Sequence, residues 1–168
     1  MRRMQHSRLH GFSLFEVMIS MALFIGIASS LLFLLQAAIN TEAKTTAHIV
    51  LAEELQYVFT RVGTRIHAST GVTFPSSGST STSLTLAMTS STEHPTQFTM
   101  NDGTLYMARA NGTPIQLSSE DIQMTDLSFT RLSGTPDQIR ISITATVRNA
   151  KNAYRATMRA TNTFTVPR

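Results

Sequence analysis

One carboxylate stands where carboxylates are rarely placed. Glu16 is the single ionisable residue of the run Phe12–Leu35, FSLFEVMISMALFIGIASSLLFLL, and that run follows Gly11 at the end of a short basic stretch, MRRMQHSRLHG. A charged residue in hydrocarbon costs about 2.5–3.5 kcal/mol at the bilayer centre and less near a helix end. Three arrangements would offset that cost: a side chain snorkelling to the interface, an intramembrane proton or ion site, or a cation supplied by a specific partner. An ion site needs further ionisable groups, and Val17–Leu35 contains none.

Elsewhere the residues able to do chemistry are dispersed. His6, His10, His48, His67 and His94 are scattered, the first two in the basic N-terminal stretch, and no His-x-x-x-His or Glu-x-x-His pair of the kind that holds a transition metal sits on the helix that follows. The absence of cysteine excludes disulfides, thiolate metal centres and a cysteine nucleophile. There is no glycine-rich phosphate loop and no Gly-x-Ser-x-Gly elbow. Asn101-Asp102-Gly103 lacks the further carboxylates of a calcium loop and reads as a hairpin turn; Asp121 and Asp126 are weak candidate acids for calcium near a loop. Asn111-Gly112-Thr113 matches a glycosylation sequon but runs into Pro114 and a turn. Arg140, Arg148, Arg155 and Arg159 fall on the polar face of the last two strands. They read as a solvated outer row, or as a shallow basic strip facing DNA or an acidic surface; no aromatic residues are interleaved to stack on bases. The expectation is a non-enzymatic protein with no metal and no cofactor.

Charge distribution argues against a nucleic-acid partner. The chain carries 14 Lys and Arg against 10 Asp and Glu, but Arg2, Arg3 and Arg8 lie in the first eleven residues, so the remainder holds 11 basic and 10 acidic side chains. The basicity belongs to the N-terminal stretch. With 168 residues the chain is long enough for one ordinary domain. Its 43 Ser and Thr, set beside few charges, favour a β-rich outer surface.

The element that carries Glu16 is a membrane-type helix. Val17–Leu35 is nineteen residues without an ionisable side chain, and at helical rise it spans roughly 28 Å, the thickness of a bilayer's hydrocarbon layer. Apolar residues occur on every face, unlike the single stripe of a soluble core helix. Three arginines precede the span, whereas Gln36–Lys44 holds one Glu and one Lys, which predicts an N-terminus kept inside and a C-terminal part exported. A secretory signal cut near Gly26-Ile27-Ala28 is the rival, but apolar residues continue well past Ala28 and an acid sits within the apolar region.

The stretch G-F-S-L-F-E-V-M-I-S-M-A-L-F, with its basic leader, the glycine, the carboxylate five residues later and the unbroken apolar run, resembles the type IV prepilin signal. The resemblance covers Arg2–Leu35, about a fifth of the chain. It implies cleavage after Gly11 by a membrane prepilin peptidase, methylation of the new amino terminus at Phe12, and packing of the apolar helices in the core of a helical filament. It also implies that Glu16 meets the amino terminus of a neighbouring subunit. Cleavage creates a cation that did not exist before, and two opposite charges in a low-dielectric bundle attract where each alone would be penalised. Leaving lipid for a filament exchanges one apolar surrounding for another, so close packing matters more than transfer, and Gly26, Ala28, Ser29 and Ser30 offer small residues for it. Many type IV pilins carry a proline in the membrane half of this helix; this chain has none there.

Beyond the span, Ala47, Leu51, Leu55, Val58, Val62 and Ile66 make one apolar stripe, and no proline interrupts Phe12–Phe74. Gly63 is the weak point of that stripe. From Gly71 the period changes to two. The stretch Pro75–Ser83 reads as a loop, Phe98–Met107 as a hairpin, Asn111-Gly112 as a turn, and Ile139–Val147 and Tyr154–Val166 as half-buried strands. The predicted fold is α+β: a long N-terminal helix packed on an antiparallel sheet, pilin-like. Its predicted parts are a leader at 1–11, a transmembrane or filament-core helix at 12–39, and an exported domain at 40–168 with an amphipathic helix at 40–68 and a β-rich part at 71–168. The expected protein is a minor pilin or pseudopilin of a type IV pilus, a competence pilus or a type II secretion machine. It would have a single pass through the inner membrane, then a place in a surface or periplasmic filament. Its expected partners are the prepilin peptidase and other pilin subunits. A membrane-anchored binding module that never polymerises is the alternative.

Overall fold

A computed structural model describes residues 13–110, 112–148 and 156–167. The leader, Gly11, Phe12, Asn111, Tyr154 and Arg155 lie outside the described residues.

Helix α1 runs Leu14–Ala68, consistent with the absence of proline, which would remove a rung of the i→i−4 ladder. The chain forms two compact units, one ending at Thr41 and one beginning at Glu42. In the second unit α1 buries Leu51, Leu55, Val58, Val62 and Ile66, the predicted stripe, with Phe59 added beside it and Ala47 half-buried at its start. Each such side chain removed from water contributes about 1.5–3 kcal/mol. No loop follows the helix: Ser69 Oγ–H donates to the Ile66 carbonyl (2.7 Å) and the first strand begins there.

Two antiparallel sheets, rather than the single sheet expected, pack with this helix. The strands are β1 (Ser69–Phe74), β2 (Thr80–Ser81), β3 (Ser83–Met88), β4 (Thr96–Asn101), β5 (Thr104–Arg109), β6 (Ile115–Gln116), β7 (Ile122–Leu132), β8 (Gln138–Val147) and β9 (Thr157–Thr165). One sheet has the order β1-β3-β4-β5-β6 and the other β2-β7-β8-β9. Both send apolar rows into one core: Leu84, Leu86, Phe98 and Leu105 from the first, Ile122, Leu127, Phe129, Ile139, Ile141 and Ile143 from the second. One face in and one face out follows from period-two alternation.

Several details depart from the sequence expectation. The Ser- and Thr-rich loop contains β2, which pairs Thr80 with Thr130 and links the hydroxyls of those residues at 2.8 Å. Strand β7 carries a bulge between Met124 and Asp126 that shifts the phase of its alternation. Ile122 and Met124 face the core before the bulge, Leu127 and Phe129 after it. The predicted hairpin is present as β4–β5, with Asn101 opposite Thr104 and φ of 49° and 72° at Asp102 and Gly103. Positive φ at both central residues is what a type I′ turn requires. In the next turn, among the described residues, Ala110 is left-handed (φ 45°), and Gly112 N–H donates to the Arg109 carbonyl at 2.7 Å.

Candidate functional site

Glu16 stands in the first turn of α1. Ser13 precedes the helix, and the Glu16 amide donates to Ser13 Oγ at 3.2 Å and to the Ser13 carbonyl at 3.0 Å. Ser13-x-x-Glu16 is therefore one half of a capping box, with a carboxylate at the positive end of the helix dipole. That role went unrecognised in the sequence reading, although the Ser-x-x-Glu spacing before an apolar run is its signal. Among the described residues no cation pairs with the Glu16 carboxylate.

The segment behind Glu16 is long and apolar enough to cross a membrane, and no part of its apolar window is buried within the chain. Leu31, Leu32, Phe33, Leu34 and Leu35 follow one another round the helix, and each is at least 58% exposed. A helix left apolar and bare on all faces suits an apolar surrounding, because water penalises every such face. Two hydroxyls of this helix are answered locally: Ser29 Oγ–H donates to the Ile25 carbonyl (2.7 Å) and Thr41 Oγ1–H to the Ala37 carbonyl (2.9 Å). Such internal bonds let polar side chains sit in hydrocarbon without orphaned groups.

The other chemistry-bearing residues are not brought together. His67 packs edge-on against Phe164 with centroids 6.2 Å apart, His94 Nδ1 accepts from the Met88 amide at 3.2 Å, and His48 is exposed. Asp121 and Asp126 are exposed, and among the described residues no group of three His, Asp or Glu side chains could hold a metal ion. Of the expected arginine row, Arg140, Arg148 and Arg159 are among the described residues. Arg140 and Arg159 lie on the outer face of β8 and β9, with Arg159 Nε–H donating to Ser142 Oγ at 3.4 Å. Arg148 lies past the end of β8; its backbone N–H donates to the Asp121 carbonyl (2.7 Å) and its guanidinium to that of Asp102 (3.5 Å).

In the second unit an open groove of about 430 Å³ runs between α1 and β9. Leu55 and Phe59 line one wall and Met158, Ala160 and Phe164 the other, so it offers apolar contact and little that could act on a substrate. Gly63 explains part of its shape: a Cβ there would overlap the Phe164 ring.

Comparison with protein-family models, with characterised proteins and with solved structures finds no match to this chain.

Proposed function

We propose that this chain is a structural subunit, a minor pilin or pseudopilin, of a type IV pilus, a competence pilus or a type II secretion pseudopilus. A prepilin peptidase removes residues 1–11, and Phe12 becomes a methylated amino terminus. Before that step the subunit sits in the inner membrane with its N-terminus inside; afterwards it joins other subunits through its apolar helix.

The observation that supports this reading is the pairing of a fully bare apolar helix with one carboxylate in its first turn. The helix supplies non-directional contact, whereas the carboxylate distinguishes one axial stagger from another once a cation is available. Capping by Ser13 and the helix dipole contribute about 0.3–1 kcal/mol each and hold Glu16 at the helix start without need of a partner. That local stabilisation tolerates the acid before cleavage, and the amine of a neighbouring subunit adds to it after assembly.

Intact-mass measurement of the protein recovered from its own membranes tests the reading. A chain starting at Phe12 with one added methyl group is expected. Replacement of Gly11 by a bulky residue should leave residues 1–11 in place. Native protein that retains its leader and never associates with like chains would favour the membrane-anchored module instead.

A further inference from the structure

We infer that a cleft in the second unit, edged by Arg61, Arg65 and Arg109, is a binding site for a carboxylate side chain of a partner polypeptide. Arg65 and Arg109 both lean on one oxygen of Glu93, with Nη1···Oε1 distances of 2.8 and 3.3 Å. A single carboxylate cannot neutralise two guanidiniums, and a third stands beside them. Arg61 lies across the Tyr57 ring, 5.1 Å from its centroid, and its Nε–H donates to the Tyr57 hydroxyl at 3.1 Å. Among the described residues no carboxylate pairs with Arg61. Arg109 Nε–H is closed to water and has no acceptor. Glu54, two turns earlier on α1, accepts from the Ser119 amide at 2.6 Å and so is directed elsewhere. The cleft thus has an excess of two positive charges over the one acid in contact with them.

The shape selects among anions. The cleft has a volume of about 190 Å³ and Met107, Ile115 and Leu117 among its walls. Sites for free small molecules are typically about 300–1,000 Å³, so the space suits one side chain. An apolar wall accommodates the methylene stem of Glu or Asp and excludes water from the ion pair, while arginine forks match the two carboxylate oxygens. Inorganic phosphate has no stem to place there. A polypeptide origin also fits the neighbouring backbone. β6 is the terminal strand of its sheet, only two residues long, and pairs Ile115 with Met107 and Gln116 with Tyr106. A chain arriving beside β6 can add main-chain hydrogen bonds to the sheet as its acid enters the cleft. This inference goes beyond the filament reading and does not depend on it.

The test uses the full chain in detergent micelles with ¹⁵N-labelled arginine, followed through its Nε–Hε signals. The probes are the blocked peptide Ac-Ala-Glu-Ala-NH₂, its Gln counterpart, and inorganic phosphate at constant ionic strength. The Glu peptide is expected to give saturable shifts at Arg61, Arg65 and Arg109 with a Kd of about 1 mM, and the Gln peptide none. Arg61→Gln leaves the Arg65–Glu93–Arg109 contact in place and should weaken the Glu peptide by about tenfold. The inference is overturned by the absence of saturable shifts, by equal binding of the Gln peptide, or by an Arg61→Gln variant that binds as before. Phosphate binding as tightly as the Glu peptide also overturns it, leaving a site for inorganic oxyanions alone.

Discussion

Gly103 is held at φ 72°, and a Cβ there would stand 2.7 Å from Gln123 Cγ and 3.1 Å from the Met124 carbonyl oxygen. The backbone needs the glycine twice, for the left-handed turn and for the close approach that lets the Met124 amide donate to the Gly103 carbonyl at 2.8 Å. Gly103→Ala is expected to lower stability by about 1–3 kcal/mol, read from denaturant unfolding of the full chain. Glu16 belongs to the same scale. Glu16→Val removes the acid at the helix start yet leaves the span more apolar. Membrane insertion should therefore persist or improve, while association with other subunits falls by about tenfold or more if a buried pair is lost. Filament yield against membrane-inserted protein separates the two effects.

Strand β7 ties the two sheets together through Arg131. This residue lies opposite Ile139 in the core-facing row, where an apolar side chain would be expected. Its guanidinium instead donates to the Val72 carbonyl (2.9 Å) and to Asp137 Oδ2 (2.6 Å), with about a fifth of the side chain exposed. One bond reaches β1 of the other sheet and the other secures the turn before β8. Arg131→Ala should cost about 2–3 kcal/mol, with Asp137→Asn costing less because the bond to Val72 survives. Comparison of the two denaturation midpoints checks this. Helix α1 and edge strand β9 meet at Gly63 and Phe164. Gly63→Ala raises helix propensity by about 1 kcal/mol but drives a methyl into the Phe164 ring, and a net loss of about 1–2 kcal/mol is expected. A rise in melting temperature for this variant would show that Phe164 swings aside at little cost.

Processing of the whole chain gives the broadest prediction. Protein from the membrane should start at Phe12, and a chain with Gly11 replaced should keep its first eleven residues; mass spectrometry reads both. The long helix, the apolar stripe from Leu51 to Ile66, the Asp102-Gly103 hairpin and strand β8 were legible in the sequence. Each rests on a period of 3.6 or 2, or on a local φ requirement, and such signals are written in neighbouring residues. The capping role of Ser13 was missed, although its spacing to Glu16 is a local signal of the same kind. Other features depend on residues far apart along the chain: the division into two sheets, the bulge that re-phases β7, the use of Gly63 as a seat for Phe164, and the gathering of Arg61, Arg65, Glu93 and Arg109. Residues 61 and 109 carry no local mark that they share a cleft. They line one cleft because the turns between Ala68 and Arg109 fold the first sheet back beside α1, and proximity across such sequence distances is set by how the apolar rows close over one core.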